Sequence, residues 1–220
     1  MVLKEKTALL VGATGLVGGH LLQLLLEQPA YHKVKIFTRR NIQLDHPKLE
    51  QIVVDFDHLE RYIEHFQVDD VYCCLGTTIK KAGSKEAFRK VDFEYPLALA
   101  KMAKQCGASK YLMVTSIGAD SNSAFFYNQV KGQVENEVNQ LNLPSVHVFQ
   151  PSLLLGSRSE SRPGESAAIM VSPLIKLIAR GSWSKYRPIQ GKEVAAAMYR
   201  IGQSEAQGIH VYHYEQMLVK

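Results

Sequence analysis

The chain has 220 residues, 46% of them apolar and 21% charged, with a formal net charge of +5. That is enough chain to bury one full core, and the composition is that of an ordinary globular protein rather than a disordered or fibrous one. No apolar run approaches the roughly 18 residues that a membrane-spanning helix needs, and the basic residues lack the aromatic interleaving of a nucleic-acid groove.

The N-terminal MVLKEKTALLVG carries no cleavage-site pattern and is read as mature cytoplasmic sequence. Ala8 to Val11 is a short apolar run that predicts a buried strand. It leads into Gly12-Ala13-Thr14-Gly15-Leu16-Val17-Gly18, and a leucine-rich helix follows. Gly12 suits a tight turn, Gly15 lets a phosphate approach the backbone, and Gly18 lets the helix pack close to the strand. The helix start then offers free N–H groups and the positive end of its dipole to an anion. This is the physics of a dinucleotide-binding turn, spaced G-x-x-G-x-x-G. No Gly-Lys-Ser/Thr follows, which argues against an ATP or GTP P-loop.

Val34 to Thr38 predicts a second strand, ending at Arg39-Arg40. In a dinucleotide fold this point faces the adenosine ribose, where an acid favours NAD and arginine accepts the 2′-phosphate of NADP. The rigid guanidinium fork suits that phosphate; a solvated basic turn is the plainer reading. Leu49 to Val54 predicts a third strand ending at Asp55, which either meets an adenine amino group or caps a helix beginning near His58. Leu59, Ile63 and Phe66 give that helix its apolar stripe. Asp70 to Leu75 predicts a fourth strand that stops at Gly76, where a missing side chain permits close approach of a ligand.

A basic segment follows, with Lys80, Lys81, Lys85, Arg89 and Lys90 against Glu86; residues 158–200 are also basic, and both stretches suit an anionic ligand. Val91 to Cys106 has helical periodicity, with Pro96 in its early part. Tyr111 to Thr115 predicts a fifth strand, giving way to Ser116. In FFYNQVKGQVENE, residues 125–137, Tyr127 and Lys131 are four apart and share one helix face. Tyrosine is a poor acid–base group near neutrality, but a neighbouring ammonium favours its phenolate. With Ser116 at the preceding strand end, the three make a proton-transfer set. A Tyr/Lys pair on an ordinary amphipathic helix is the duller alternative.

Val146 to Gln150 predicts a sixth strand, leading to Pro151. Residues 157–166 are Gly-, Pro- and Ser-rich and read as an exposed loop, 167–179 as a helix and 185–189 as a short extended piece. Lys192 to Ile201 predicts a helix, and Ile209 to Tyr212 a last strand at the sheet edge. The eight histidines and the three cysteines, Cys73, Cys74 and Cys106, show no metal-ligand spacing; the cysteines read as reduced thiols, two of them buried.

Taken together, GATGLVGG, Thr38-Arg39-Arg40, Asp55, CLGTT, TSIGAD and Tyr127-x-x-x-Lys131 resemble the short-chain dehydrogenase/reductase superfamily. The resemblance is to its atypical, Tat-interacting-protein-like members, related in fold to nucleoside-diphosphate-sugar epimerases. It implies an α/β fold: a Rossmann-type doubly wound parallel sheet with helices on both faces and a small C-terminal substrate-side region. Residues 1–220 would be one NAD(P)-binding domain, with 156–190 as a substrate-side loop and helix insertion. Gly12, Thr14, Gly15, Leu16 and Gly18 would cradle the pyrophosphate, Arg39 and Arg40 the 2′-phosphate, and Asp55 the adenine. Leu75, Gly76 and Pro151 would flank the nicotinamide half. Lys131 would bind the nicotinamide ribose and acidify Tyr127, Tyr127 would move the proton, and Ser116 would steady the substrate oxygen.

The expected activity is NADP-dependent hydride transfer, NADP being preferred over NAD, on a small carbonyl or alcohol. A regulatory or protein-interaction module that binds NADPH is the alternative, and a compact sugar-nucleotide epimerase is disfavoured because only about 65 residues follow Pro151. No nucleic acid, membrane or metal is expected, and monomer and homodimer both stay open.

Overall fold

The computed structural model describes residues 5–156 and 181–219. Its centre is a sheet of seven parallel strands in the order β3-β2-β1-β4-β5-β6-β9. These are β1 (Lys6–Val11), β2 (Tyr31–Thr38), β3 (Leu49–Val53), β4 (Asp70–Cys73), β5 (Lys110–Val114), β6 (Ser145–Phe149) and β9 (Gly208–Tyr212). A separate pair, β7 (Leu154–Leu155) and β8 (Ile189–Gln190), lies beside it. The fold is Rossmann-type, and its strand order reverses between β1 and β4, the point where open parallel sheets bind ligands beyond their carboxyl ends.

The strands read as unbroken apolar runs because both faces of the sheet are covered. In β1, Leu9 and Val11 point into one core while Ala8 and Leu10 point into the other. The first core lies under α4 (Tyr95–Gln105), α5 (Phe126–Asn139) and residues 56–66. The second lies under α1 (Leu16–Glu27) and α6 (Gly191–Gly202), with the short α7 (Tyr214–Leu218) beside it. Cys73 and Cys74 fall on opposite faces by the same alternation, so these neighbours cannot pair, and both are free thiols. Helix α1 buries Val17, Leu21, Leu22, Leu25 and Leu26, each worth about 1.5–3 kcal/mol against exposure.

Three expected elements take a different form. The helix near His58 is a 3₁₀ segment, Phe56–Phe66, broken by non-helical backbone at His58 and Tyr62. The helix expected from Val91 is α-helical only from Tyr95; Lys90–Glu94 is a π turn, entered from the short helices α2 (Ile79–Ala82) and α3 (Lys85–Arg89). Pro96 explains the wide turn, since in a regular helix its ring would strike the Asp92 carbonyl. Residues 185–189 are the end of a 3₁₀ turn, Gly181–Tyr186, followed by the start of β8 rather than one extended piece. The expected loop over 157–166 and helix over 167–179 lie outside the described residues, as does most of the second basic stretch.

At the far edge, β6 and β9 share a buried polar cluster. His147 is fully buried, with Nε2 2.8 Å from Ser145 Oγ and Nδ1 3.0 Å from Tyr212 Oη; Ser145 Oγ donates to the Ala206 carbonyl. Burial, then the neighbouring His210 and Lys110 charges, push the ring down from 6.5 to about 4. An unfolded chain therefore takes up a proton at this position between about pH 6.5 and 4, whereas the folded chain does not. Stability contributed by the neutral ring is complete above that window and is lost as pH falls through it. Urea unfolding should show the stability advantage of wild type over His147→Asn shrinking between pH 7 and 5. A difference that is constant with pH would contradict the assignment.

Candidate functional site

The site is built around the turn after β1. Gly12 has φ +91°, and a Cβ there would lie 2.6 Å from the Cys74 carbonyl oxygen. A Cβ on Gly18 would lie 2.1 Å from the Gly12 carbonyl oxygen. Only glycine at both positions lets α1 start directly above the gap between β1 and β4. Gly15 is the residue before the helix, with no side-chain cap and no acid in the first turn. The N–H groups of that turn have no built-in anion. Thr14 and Gly15 are exposed on the same rim. Leu16 belongs to the turn by its backbone, but its side chain fills the hollow over Gly156 and Gly191, where a Cβ would come within 2.6–2.7 Å of it.

At the end of β2, Arg39 and Arg40 are exposed, and the Thr38 hydroxyl donates to the Arg40 carbonyl at 2.8 Å, shaping the turn that presents them. Asp55 is also exposed; one carboxylate oxygen accepts from the Asp57 amide at 3.0 Å, so it does cap the 3₁₀ segment. Its other oxygen leaves the adenine role open. Leu75 follows β4 and lies against Gly12, and Gly76 beyond it is exposed.

Helix α5 carries both Tyr127 and Lys131. Tyr127 is half-buried with its ring 5.4 Å from that of Phe88. One turn on, Lys131 is buried, and its Nζ is 2.7 Å from Asp92 Oδ1. A Cβ on Gly76 would be 3.8 Å from that Nζ. The structure thus brings Lys131 to the end of β4, at the reversal of strand order. Burial alone would push the Lys131 ammonium down; the Asp92 carboxylate, with Tyr127 and Cys73 beside it, outweighs burial and holds the group above the usual lysine value.

The loop that begins at Ser116 meets the same helix by a different route. It turns at Gly118 (φ +79°), and the Asp120 amide donates to the Asn128 carbonyl at 3.1 Å, next to Tyr127. Gly132 makes room for this, since a Cβ there would lie 2.2 Å from the Ser121 nitrogen. Ser116 Oγ is buried and has no hydrogen-bond partner. Orphaned buried hydroxyls are uncommon, and this one fits a ligand oxygen. Pro151 is buried, its carbonyl accepting from the amide of Ile117, the residue after Ser116, at 2.9 Å.

Two acids of this region are not among the residues singled out from sequence. Asp92 lies on the π turn, at an inward position of a pattern shared with Tyr95 and Leu99; an acid on an apolar stripe was the available signal. Glu135 continues the α5 stripe one turn beyond Lys131. It accepts from Thr115 Oγ1 at 2.5 Å and from Gln150 Nε2 at 2.9 and 3.0 Å. Burial pushes its carboxyl up, and these hydrogen bonds and Lys131 pull it partly back. Glu135 thereby clamps α5 to the ends of β5 and β6, just before Ser116 and Pro151. Among the described residues no cluster of His, Cys, Asp or Glu could hold a metal ion.

Residues 12–146 match the family model described as NAD(P)H-binding. The rat protein HTATIP2 is 41% identical over 167 residues, covering 74% of this chain and 69% of that one. The mitochondrial protein FMP52 of Eremothecium gossypii is 32% identical over 200 residues, covering 90% and 89%. Among solved structures, the Bordetella bronchiseptica enzyme WbmH in complex with NAD+ superposes with a TM-score of 0.72 at 17% identity, over 96% of this chain and 75% of that one. The Helicobacter pylori ADP-L-glycero-D-manno-heptose-6-epimerase gives 0.69 at 18% identity, over 96% and 78%. The chain belongs to the NAD(P)H-binding family, as an atypical short-chain dehydrogenase/reductase of the Tat-interacting-protein-like group. No helix among the described residues is long and apolar enough to cross a membrane.

Truncating Glu135 would orphan the Thr115 hydroxyl and the Gln150 amide. Glu135→Ala should lower the unfolding free energy in urea by about 1–3 kcal/mol, with Glu135→Gln recovering part of it. Full stability in Glu135→Ala would contradict the clamp.

Proposed function

We propose that the protein is an NADP-dependent oxidoreductase that transfers a hydride between nicotinamide and a small carbonyl or alcohol, with Tyr127 as proton donor and acceptor. The observation that carries the reading is on α5: the Lys131 ammonium lies beside Gly76 at the end of β4, at the reversal of strand order, and Tyr127 stands one turn before it on the same helix. The cofactor fits the residues present. Close-packed glycines leave a bare backbone cradle for a pyrophosphate, Arg39 and Arg40 offer guanidinium forks to a 2′-phosphate, and Asp55 retains an oxygen for adenine. Leu75, Gly76 and Pro151 would flank the nicotinamide half.

When bound, nicotinamide supplies or accepts the hydride, which is the chemistry the protein itself lacks. The chain's residues do the rest. In the reductive direction Ser116 Oγ donates to the carbonyl oxygen and polarises it. Tyr127 gives its phenolic proton to that oxygen as the C–O double bond becomes single. The Lys131 ammonium steadies the phenolate left behind, which is reprotonated from solvent. Oxidation runs the same steps in reverse.

One observation favours a second reading, an NADPH-binding regulatory or protein-interaction module. Helix α6 and β9 serve to complete the second core and the seven-stranded sheet, so these C-terminal elements build the fold rather than a substrate pocket. Cytoplasmic location belongs to the same proposal; it rests on three cysteines that are free thiols, although fungal relatives are named mitochondrial.

With NADPH and a panel of aldehydes and ketones, Tyr127→Phe should lower kcat by about 10²-fold or more while leaving NADPH affinity within error. Unchanged turnover in that variant would overturn the role of Tyr127, and the absence of turnover by wild type across the panel would favour the module. Arg39→Ala should weaken NADPH binding by about tenfold or more, as expected for a lost charge-assisted hydrogen bond, with little effect on NADH. Equal losses for both nucleotides would contradict the 2′-phosphate assignment.

A further inference from the structure

Asp92 has no part in the proton transfer described above, yet it is almost completely buried, at 1% exposure. Both of its oxygens are engaged at the site. Oδ1 is 2.7 Å from Lys131 Nζ, and Oδ2 accepts from the Thr77 amide at 2.9 Å. Thr77 is the residue after Gly76, so one carboxylate joins the ammonium of α5 to the loop beyond β4.

The backbone that delivers Asp92 is unusual for a local reason. The Tyr95 amide bonds to the Lys90 carbonyl, five residues back, ahead of Pro96. This widened turn relieves the proline and directs Asp92 at position i−4 toward the sheet rather than along a regular helix face. Single-turn π bulges of this kind recur at functional sites.

We propose that Asp92 is a positioning residue that holds Lys131 at the end of β4 as a charged ammonium and, through Thr77, registers that charge against the loop carrying Gly76. This rests on the reading of Lys131 as a member of the proton-transfer set. A lysine buried without a counter-ion sheds its proton, and a broken buried pair leaves an uncompensated charge. The other titratable groups facing Lys131 are poor substitutes. Cys73 on β4 is buried, and burial pushes its thiol up and keeps it neutral. Glu135 on α5 is committed to Thr115 and Gln150, and burial pushes its carboxyl up as well. Tyr127, also on α5, is the group on which the proton transfer turns. Asp92 is the carboxylate in ion-pair contact with the ammonium. An asparagine there would keep the shape and the Thr77 bond but lose the charge.

The test uses the full chain without cofactor or substrate. Lysine side chains are isotope-labelled, and the Lys131 ammonium is followed by NMR as a function of pH, assigned by its loss in Lys131→Met. In Asp92→Asn the Lys131 titration should move down by about 2 units or more; a titration that stays at the wild-type position overturns the proposal. Should Asp92→Asn fail to fold, the double variant Asp92→Asn/Lys131→Met decides: it should fold cooperatively, because no charge is left uncompensated, whereas a double variant that also fails to fold, beside a folded Lys131→Met, overturns the proposal. Neither measurement involves turnover. An inactive wild type would therefore count against the oxidoreductase reading alone, and an unmoved titration in an active enzyme against Asp92 alone.

Discussion

A Cβ on Gly18 would lie 2.1 Å from the Gly12 carbonyl oxygen, and one on Gly12 would lie 2.6 Å from that of Cys74. The carboxyl edge of the sheet depends on those two close approaches. They bring the first helix, the first strand and the fourth strand together with no side chain between them. The bare N–H groups at the start of α1 thus face the gap where the strand order reverses. Leu16 extends the constraint to the other end of the chain by packing over Gly156 and Gly191. The nucleotide turn, the β7–β8 pair and α6 are therefore held as one assembly.

Helix α5 adds a second layer, made of charge rather than close packing. Tyr127, Lys131 and Glu135 recur at intervals of four and form one stripe. Each meets a different part of the site: Tyr127 lies against Phe88, Lys131 is paired with Asp92, and Glu135 is hydrogen-bonded to Thr115 and Gln150. Two buried acids under one helix are costly, since desolvation outweighs much of what pairing returns. Apolar residues at positions 92, 131 and 135 would hold the helix to the sheet as well or better. That the chain keeps charge there, beside an unpartnered Ser116 hydroxyl, is a feature that stability alone does not explain, and it supports the proposed role of this edge.

Much of this was legible in the residues. Strands covered on both faces read as apolar runs, and the adjacent Cys73 and Cys74 could be placed at the end of β4 for that reason, though the strand itself stops at Cys73. The glycine turn, the exposed arginines after β2 and the Tyr127/Lys131 pair follow local rules of spacing. What escaped depended on partners distant in sequence. Asp92 is explained only by Lys131, 39 positions later, and Glu135 only by residues on two strands. Apolar periodicity could place Leu59 and Phe66 inside but could not distinguish 3₁₀ turns from an α-helix. Two-residue strands such as β7 and β8 carry no period at all; tertiary contact alone makes them. Pro96 was read as tolerable in an early turn, and its consequence, a π turn that swings an acid inward, needed the backbone.

The most direct measurement is calorimetric titration of the purified, nucleotide-free protein with NADPH and, in matched conditions, with NADH. The account predicts one site of micromolar or tighter affinity for NADPH and clearly weaker binding of NADH. Binding of neither nucleotide would contradict it, leaving the glycine turn as packing without a ligand.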